Sequence, residues 1–228
     1  NMEWNRKFNY PTSTRALYNG KRHYSFGTEK LPSVTTILSA TVSDEKKANL
    51  ERWVQRVGKA NAEKIKKEAT TRGSSMHEFL EKFLLGQLNL SLLGDNSVEK
   101  QMADEIIENG IKDRLKEIWG VESCLYYPEK YAGAADLIAG NYEGEPAILD
   151  FKNALKPRQD SWNEDYYLQL CLYISAHNKV YNTDIKKGVI LLCTKDNFFQ
   201  RFTIEGERLI EFTKKAFERV DLYYSKLK

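Results

Sequence analysis

Charged, helix-forming stretches fill the first half of this chain, and strongly apolar, strand-like runs follow in the second half. Ser43 and Ser97 are suitable N-caps, and the acidic residues after Ser43 suit the positive end of a helix dipole. The predicted helices cover about 44–56, 59–85, 97–119, 161–181 and 205–228, with Gly73 able to break the second and Gly120 to end the third. Strands or extended segments are predicted at 24–26, 31–38, 121–127, 185–193 and 198–204, with a turn at Gly27 between the first two.

The order of these elements indicates the fold class. Helices come first, followed by the strands of a small sheet, one crossing helix and two further strands. This order predicts an α/β fold with a mixed central β-sheet flanked by helices and an N-terminal helical segment. At 228 residues the chain fits one domain. We divide it into an N-terminal extension (1–30), a mainly helical part (31–120), a sheet core (121–204) and a C-terminal helix (205–228).

The segment 133–154 concentrates the candidate chemistry of the chain. Turn-forming residues in its middle separate two apolar runs, which predicts a β-hairpin that brings Asp136 beside Asp150. Residues two apart in a strand share a face, so Asp150 and Lys152 project together while Phe151 turns into a core. Two carboxylates suit a hard divalent metal, and a lysine beside them can hold a phosphate or an attacking water. A metal-dependent phosphodiesterase uses this combination of a carboxylate-bound metal and a lysine.

An Asp-x-Lys triplet also occurs by chance, where it marks a solvated strand face. Two features of the setting favour chemistry here. Asp150 directly follows the apolar run 147–149, where a solvated edge strand would more often alternate. Asp136 follows small residues at 133–135, which let a ligand approach the backbone closely.

Composition places limits on this interpretation. Lys and Arg number 35 and Asp and Glu 32, so the net charge of +3 permits nucleic-acid binding through a local patch without demanding it. Cys124, Cys171 and Cys193 lack the spacing of a zinc or iron–sulfur site and predict no disulfide framework. No apolar stretch approaches a membrane span and no signal peptide is recognisable, so an intracellular protein without membrane contact is expected.

The helical part of the chain offers a candidate ligand and candidate phosphate contacts. His77 shares a helix face with Gly73, whose lack of bulk leaves room for a ligand, and the run from Arg72 to Ser74 at a helix start would attract an anion. A lone histidine is also common in structural positions. A phosphate track is expected from Lys64, Lys66, Lys67 and Arg72, although an ordinary solvated helix face fits these residues equally. The basic segment 44–85 is expected to form an arch past which a single strand threads.

Three polar residues near the predicted sheet have two interpretations each. Glu122 could face the metal or the solvent. Gln169 and Tyr173 are four apart on the crossing helix and share a face, from which they could bond a phosphate or stack a base. A half-buried helix with polar tips would explain the pair equally well.

Together these pieces resemble the PD-(D/E)XK nuclease superfamily, specifically its RecB-like exonuclease branch. The motifs run in the family's order: Arg72-Gly73-x-x-x-His77, Glu122, Gly133-x-x-Asp136, Asp150-x-Lys152 and Gln169-x-x-x-Tyr173. The run 31–35 is also similar to a segment of mitochondrial genome maintenance exonucleases and their phage relatives. Any single motif is weak, but five in this order are fairly specific, and the resemblance spans most of the chain.

The resemblance implies roles for these residues. His77, Asp136, Asp150 and the backbone carbonyl of Phe151 would bind Mg²⁺ or Mn²⁺, and Lys152 would position or activate water. Gln169 and Tyr173 would support the site and the DNA, and the substrate contacts would include Arg72, Ser74, Lys64, Lys67 and Glu122. The cysteines do not match the branch that carries an iron–sulfur cluster, so none is expected. No helicase motif is present, so any motor would be a separate protein.

The expected function is a metal-dependent DNA exonuclease that prefers single strands or free ends and serves replication, repair or recombination. Its expected partners are DNA and a separate helicase, polymerase or single-strand-binding protein, in a bacterial or phage-infected cytoplasm or a mitochondrial matrix. Two alternatives stay open. One is an endonuclease with the same core, structure-specific or restriction-like. The other is a catalytically inactive DNA-binding recombination protein, against which the intact Asp-Asp-Lys set argues.

Overall fold

The structure is a computed structural model that describes residues 2–26, 28–87 and 96–228, so the turn expected at Gly27 lies outside the described residues. The strands are β1 (Glu3–Trp4), β2 (Thr14–Tyr18), β3 (Lys21–Phe26), β4 (Glu29–Pro32), β5 (Leu115–Tyr127), β6 (Tyr131–Tyr142), β7 (Glu145–Ala154), β8 (Lys187–Thr194) and β9 (Phe199–Glu205). The helices are α1 (Val34–Ala40), α2 (Asp44–Val57), α3 (Lys59–Leu84), α4 (Val98–Ile106), α5 (Glu164–Tyr181) and α6 (Gly206–Lys226). A π-helical turn (Ile107–Ile111) follows α4, and a 3₁₀ turn (Asp160–Asn163) precedes α5.

A six-stranded sheet in the order β1-β5-β6-β7-β8-β9 forms the centre of the molecule. β1 pairs with β5 and β7 with β8 in parallel, and the other neighbours are antiparallel. Helices cover both faces. This arrangement confirms the predicted α/β fold with a mixed central sheet.

Each face of the central sheet has its own apolar core, because successive side chains of a strand point to opposite sides. On one side Ile138 and Ile148 pack with residues of α1, α5 and α6. On the other side Leu137 and Leu149 pack with Met76 of α3 and with residues of α4. Asp136, Asp150 and Lys152 share the parity of Ile138 and Ile148, so they face the α5 side.

The hairpin of β6 and β7 has the predicted turn. Glu143 and Gly144 both have positive φ, of 53° and 98°, which is the backbone twist of a tight two-residue hairpin loop. Asn141 supports the turn because its Oδ1 accepts a hydrogen bond of 2.8 Å from the Gly144 N–H. Next to the turn Tyr142 pairs with Glu145, and after a register shift between Ala139 and Tyr142 the strands pair in the register Leu137–Leu149.

Two strand predictions in the N-terminal part were incomplete or wrong. β2, β3 and β4 form a separate three-stranded sheet, of which the sequence predicted only short extended pieces. The run 31–38 is extended only as far as Pro32, because Ser33 caps a helix there. Its Oγ accepts a hydrogen bond of 3.0 Å from the Thr36 N–H, and α1 follows.

Two predictions about helix boundaries were also wrong. α3 continues through Gly73 without a break. A Cβ at Gly73 would lie 2.6 Å from Nδ2 of Asn153, so that side chain occupies the room that was expected for a ligand. The helix capped by Ser97 ends at Ile106 and does not reach Trp119. Residues from Leu115 onward instead extend β5 and pair with β6, which buries their apolar side chains against the sheet. The capping roles of Ser43 and Ser97 are confirmed.

The three cysteines are free and buried, as expected of small apolar side chains. Among the residues that the structure describes, no helix has the length and apolar character to cross a membrane.

Candidate active site

Three carboxylates lie in a row across neighbouring strands of the central sheet. Glu122 falls between the paired positions Val121–Leu137 and Ser123–Ala135, which places it opposite Asp136. One position beyond the Leu137–Leu149 pair, Asp136 lies opposite Asp150. Directly opposed residues have Cβ atoms about 5 Å apart. The sheet register therefore brings three acidic groups together, and a cation or a proton is needed to relieve their mutual repulsion.

Asp150 is the most deeply buried of the three carboxylates, with 2% of its surface exposed. Its Oδ2 atom has no hydrogen-bond partner, and the Lys152 Nζ lies 3.9 Å away. Burial raises the pKa of Asp150 to about 7, with Lys152 opposing the shift and the charge of Asp136 adding to it. An unpartnered buried carboxylate oxygen is costly for stability, and such costs are typical of functional sites.

Asp136 is partly buried, and it has partners. Its Oδ2 accepts a hydrogen bond of 2.8 Å from the Phe151 N–H, and its Oδ1 lies 3.3 Å from Nδ1 of His77. Burial by itself would raise the pKa of Asp136, but the charge and hydrogen bond of His77 lower it below the ordinary value. Burial likewise opposes protonation of His77, and the Asp136 contact outweighs it and raises the pKa of His77. His77 and Asp136 thus each favour the charged form of the other.

Lys152 is held in place by residues of α5. Its Nζ donates a hydrogen bond of 2.8 Å to Oε1 of Gln169, and Gln169 in turn donates one of 3.0 Å to the hydroxyl of Tyr173. The ring of Tyr166 lies beneath the same ammonium group, with 4.7 Å between Nζ and the ring centroid. Sequence reasoning placed Gln169 and Tyr173 on one face of this helix, and the structure shows that this face holds the lysine.

Gly133 has a packing role next to this hydrogen-bonded chain. A Cβ at this position would lie 2.7 Å from Cε1 of Tyr173 and 3.2 Å from its hydroxyl oxygen. The ring of Tyr173 therefore occupies the space that a side chain at 133 would need. The small residue admits this tyrosine, where the sequence suggested room for an approaching ligand.

Glu122 has an unusual backbone and an unusual charge state. Its φ of 48° is positive, which non-glycine residues adopt rarely and which often marks a functional position. Burial, then the charges of Asp136 and Glu81, raise the pKa of Glu122 to about 7, against the opposing effect of His77 and Arg15. Glu122 therefore lines the pocket beside Asp136.

The predicted phosphate contacts on α3 are not brought to this pocket. Arg72 and Ser74 lie inside the continuous helix, so the run offers no free N–H groups, and the predicted anion site at a helix start was wrong. Arg72 is buried and its Nε donates a hydrogen bond of 3.2 Å to Oδ1 of Asn153, which is a structural contact. Lys64, Lys66 and Lys67 are exposed, and at 1.5 Å per residue they lie about 15–20 Å along the helix from His77.

A pocket of about 170 Å³ lies over the carboxylates, and it contains residues that sequence reasoning missed. The missed residues come from the three-stranded sheet and the cap of α1: Arg15, Arg22, Tyr24, Ser33 and Thr35. Only Ser33 and Thr35 lie in a run that the sequence singled out, 31–35, and no local pattern ties any of the five to His77 or Glu122, which are more than 40 residues away in sequence. Only the packing of the small sheet against β5 and β6 brings them to the site.

The donor set of this pocket fits a hard cation in its chemistry. Two opposed aspartates, one of them with an unpartnered Oδ2 (Asp150), and an imidazole are ligands that Mg²⁺ or Mn²⁺ accepts. As placed, however, no three His, Cys, Asp or Glu side chains within residues 2–26, 28–87 and 96–228 form a group able to hold a metal ion. Binding would require Asp150 and His77 to turn toward a common point.

Comparison with known proteins relates the chain to a nuclease family. It is 30% identical over 176 residues to mitochondrial genome maintenance exonuclease 1 of Homo sapiens, 32% over 177 residues to that of Mus musculus and 31% over 189 residues to that of Xenopus tropicalis. These matches cover 73%, 73% and 77% of this chain. They cover 50%, 50% and 51% of the relatives, so the chain spans about half of their length.

Two other comparisons add little. No protein-family model matches the chain. A solved structure described as that of SSO0001 aligns with 43% of this chain and 48% of its own at 14% identity, with a TM-score of 0.29, and supports no conclusion.

Proposed function

We propose that this chain is a metal-dependent DNA exonuclease of the RecB-like branch of the PD-(D/E)XK nuclease superfamily, acting on single strands or free ends. The observation that carries the proposal is the row Glu122, Asp136 and Asp150 with Lys152 fixed beside it in one pocket. The similarity to proteins named as exonucleases supports it.

The proposed roles follow from the contacts of each residue. Asp136, Asp150 and His77, with the carbonyl of Phe151, would hold Mg²⁺ or Mn²⁺, which polarises a phosphate and lowers the pKa of a water molecule. Lys152 orients the attacking water or offsets the charge that develops on the phosphate oxygens.

Gln169, Tyr173 and Tyr166 fix the Lys152 ammonium so that little reorganisation is required when the phosphate arrives. Lys152 would therefore meet the phosphate in one orientation. The substrate approaches from the side of the pocket that bears arginines and hydroxyl groups.

A cleavage assay with end-labelled DNA tests this proposal. Linear single strands should be degraded with Mg²⁺ or Mn²⁺ and not with EDTA, and covalently closed single-stranded circles should survive, because an exonuclease requires an end. Cleavage of the circle would favour the endonuclease, and cleavage of neither substrate would favour a DNA-binding protein without catalysis.

Substitution of the proposed catalytic lysine tests its assigned role. We expect Lys152→Ala to abolish turnover and to leave DNA affinity nearly unchanged, because one phosphate contact among several contributes little to binding. Lys214→Ala, at an exposed position of α6, is the control and should cleave normally. Near-normal cleavage by Lys152→Ala would show that the active site lies elsewhere.

A further inference from the structure

The three-stranded N-terminal sheet presents one of its faces to the candidate active site. In the antiparallel register of β2 and β3, Arg15 pairs with Tyr24 and Leu17 with Arg22. Paired residues and residues two apart lie on the same face of a sheet. Arg15, Arg22 and Tyr24 all line the pocket that holds the carboxylates. The β2–β3 hairpin is therefore a wall of this pocket.

Contacts with the rest of the chain fix the position of this wall. The backbone carbonyl of Arg22 accepts hydrogen bonds from the Ser33 N–H, at 3.1 Å, and from Oγ1 of Thr36, at 3.0 Å. Tyr24 is 6% exposed and packs with Leu31 and Cys124. The backbone at Arg22 is thus tied to α1, while its side chain remains exposed to solvent.

Neither Arg15 nor Arg22 forms an ion pair with a carboxylate in the part of the chain that the structure describes. Arg15 is close enough to Tyr24 and Glu122 to lower the pKa of each, against the larger effect of burial on both. Two arginines without a carboxylate partner in the described part of the chain, at the rim of this pocket, favour a ligand that carries its own negative charges, and the planar guanidinium matches a phosphate.

A groove continues from the pocket past Arg22. It has a volume of about 730 Å³ and runs between the hairpin and α1. Arg22 and Thr35 line both the pocket and the groove, so the two spaces adjoin. The other groove residues are mostly small, hydroxyl-bearing or basic: Leu17, Gly20, Lys21, Thr36, Ser39 and Ala40. This lining suits a sugar-phosphate backbone, which requires cations and hydrogen-bond donors.

We propose that Arg15 and Arg22 bind the phosphate adjacent to the scissile one in a single strand of DNA, and that the strand continues through the groove between the β2–β3 hairpin and α1. This proposal rests on the proposed nuclease function and names its substrate path. It moves the main phosphate contacts from the lysines of α3, which lie far from the pocket, to the N-terminal hairpin. Contacts of this kind read no base sequence, so binding should be independent of sequence.

The salt dependence of binding tests the two contacts directly. Affinity of a labelled oligothymidylate in EDTA is measured at several salt concentrations for wild type and for Arg15→Gln/Arg22→Gln. Loss of the two cations that neutralise this one phosphate should reduce the slope of log K against log[salt] by about 0.7 and weaken binding at low salt by about tenfold. The matched control is Lys179→Gln/Lys214→Gln, which removes the same charge at two exposed positions of α5 and α6.

A variant that keeps the positive charges separates the loss of charge from structural effects of the substitutions. Arg15→Lys/Arg22→Lys should restore most of the slope, and all variants should melt near the wild-type temperature because the replaced side chains are exposed. A slope equal to that of the control variant would overturn the proposed phosphate site, whatever the protein cleaves.

Cleavage of a substrate with a single phosphate separates this site from the reaction itself. Hydrolysis of bis(p-nitrophenyl) phosphate by Arg15→Gln/Arg22→Gln should stay within about twofold of wild type, while kcat/KM on the oligonucleotide falls at least about tenfold. An equal loss on both substrates would place the arginines on the scissile phosphate and reject the adjacent site. If wild type hydrolyses neither substrate, the nuclease proposal fails, and the binding experiment still decides whether the hairpin holds phosphate.

Discussion

Replacing Asp150 with asparagine should stabilise the metal-free protein while abolishing its proposed activity. Asp150 is 2% exposed, its Oδ2 has no hydrogen-bond partner, and burial raises its pKa from 3.8 to about 7. The folded state therefore binds a proton more tightly than the unfolded state does. Stability is highest below the unfolded pKa, falls as the pH rises toward the folded pKa, and stays low above it.

The size of this effect follows from the linkage between pKa and stability. At about 1.36 kcal/mol per pKa unit, ionisable Asp150 costs about 2 kcal/mol of folding free energy at pH 5 and about 4 kcal/mol at pH 8. The asparagine of the variant would keep a pH-independent cost of about 1–3 kcal/mol for burying its amide. The advantage of Asp150→Asn should thus grow by about 2 kcal/mol between the two pH values, or about 4–8 °C in Tm for a chain of this size.

Thermal unfolding in EDTA, followed by circular dichroism at pH 5 and pH 8, measures this difference. Asp184→Asn is the control, since the carboxylate of Asp184 is 78% exposed and its removal should change Tm little at either pH. An advantage of Asp150→Asn that is equal at both pH values, or a loss of stability at pH 8, would refute the reasoning. Saturating Mg²⁺ should raise the wild-type Tm more than that of the variant, because only the wild type gains a cation for its buried charge.

Three further predictions concern the neighbours of Asp150. Asp136→Asn should destabilise the protein and lower its Tm, in contrast to Asp150→Asn. The reason is that His77 lowers the pKa of Asp136 and that the charged hydrogen bonds of Asp136 are worth about 1.5–3 kcal/mol each. An unchanged Tm at pH 7 would contradict this. Gly133→Ala should displace the Tyr173 ring and cost about 1–3 kcal/mol of stability. It should reduce kcat without weakening DNA binding, and wild-type kinetics would disprove the packing role. Gln169→Ala should free the Lys152 ammonium and lower kcat about tenfold at unchanged KM, whereas a change in KM alone would assign Gln169 to substrate binding.

Short-range sequence patterns determined the central part of the candidate site. The turn at 141–144 lies between two apolar runs, which predicts the hairpin, and alternation places Asp150 and Lys152 on one face. Asp136 joins that face through a register shift between Ala139 and Tyr142, which only the structure reveals. The spacing of Gln169 and Tyr173 fixed their common helix face in the same way. These relations depend on backbone periods of 2 and 3.6, which a sequence displays directly.

Local patterns failed where long-range packing decided the outcome. Residues 115–119 have the apolar content of either a helix or a strand, and pairing with β6 selected the strand. Gly73 carries the signal of a helix break, but the side chain of Asn153 occupies the space beside it and the helix continues. Tertiary contacts of this kind outweigh propensities of about 1 kcal/mol per residue.

Which residues surround the carboxylates was decided by tertiary structure alone. Arg15 and Arg22 reach the pocket because Tyr24 packs on β5 and β6 and the carbonyl of Arg22 is bonded to α1. The burial of Asp150, and with it the pKa of about 7, results from the elements that cover its own face of the sheet. The sequence determined which groups can react and which face they share. The fold decided how strongly their charges are perturbed and which cations stand opposite them, because both depend on contacts between residues far apart in the chain.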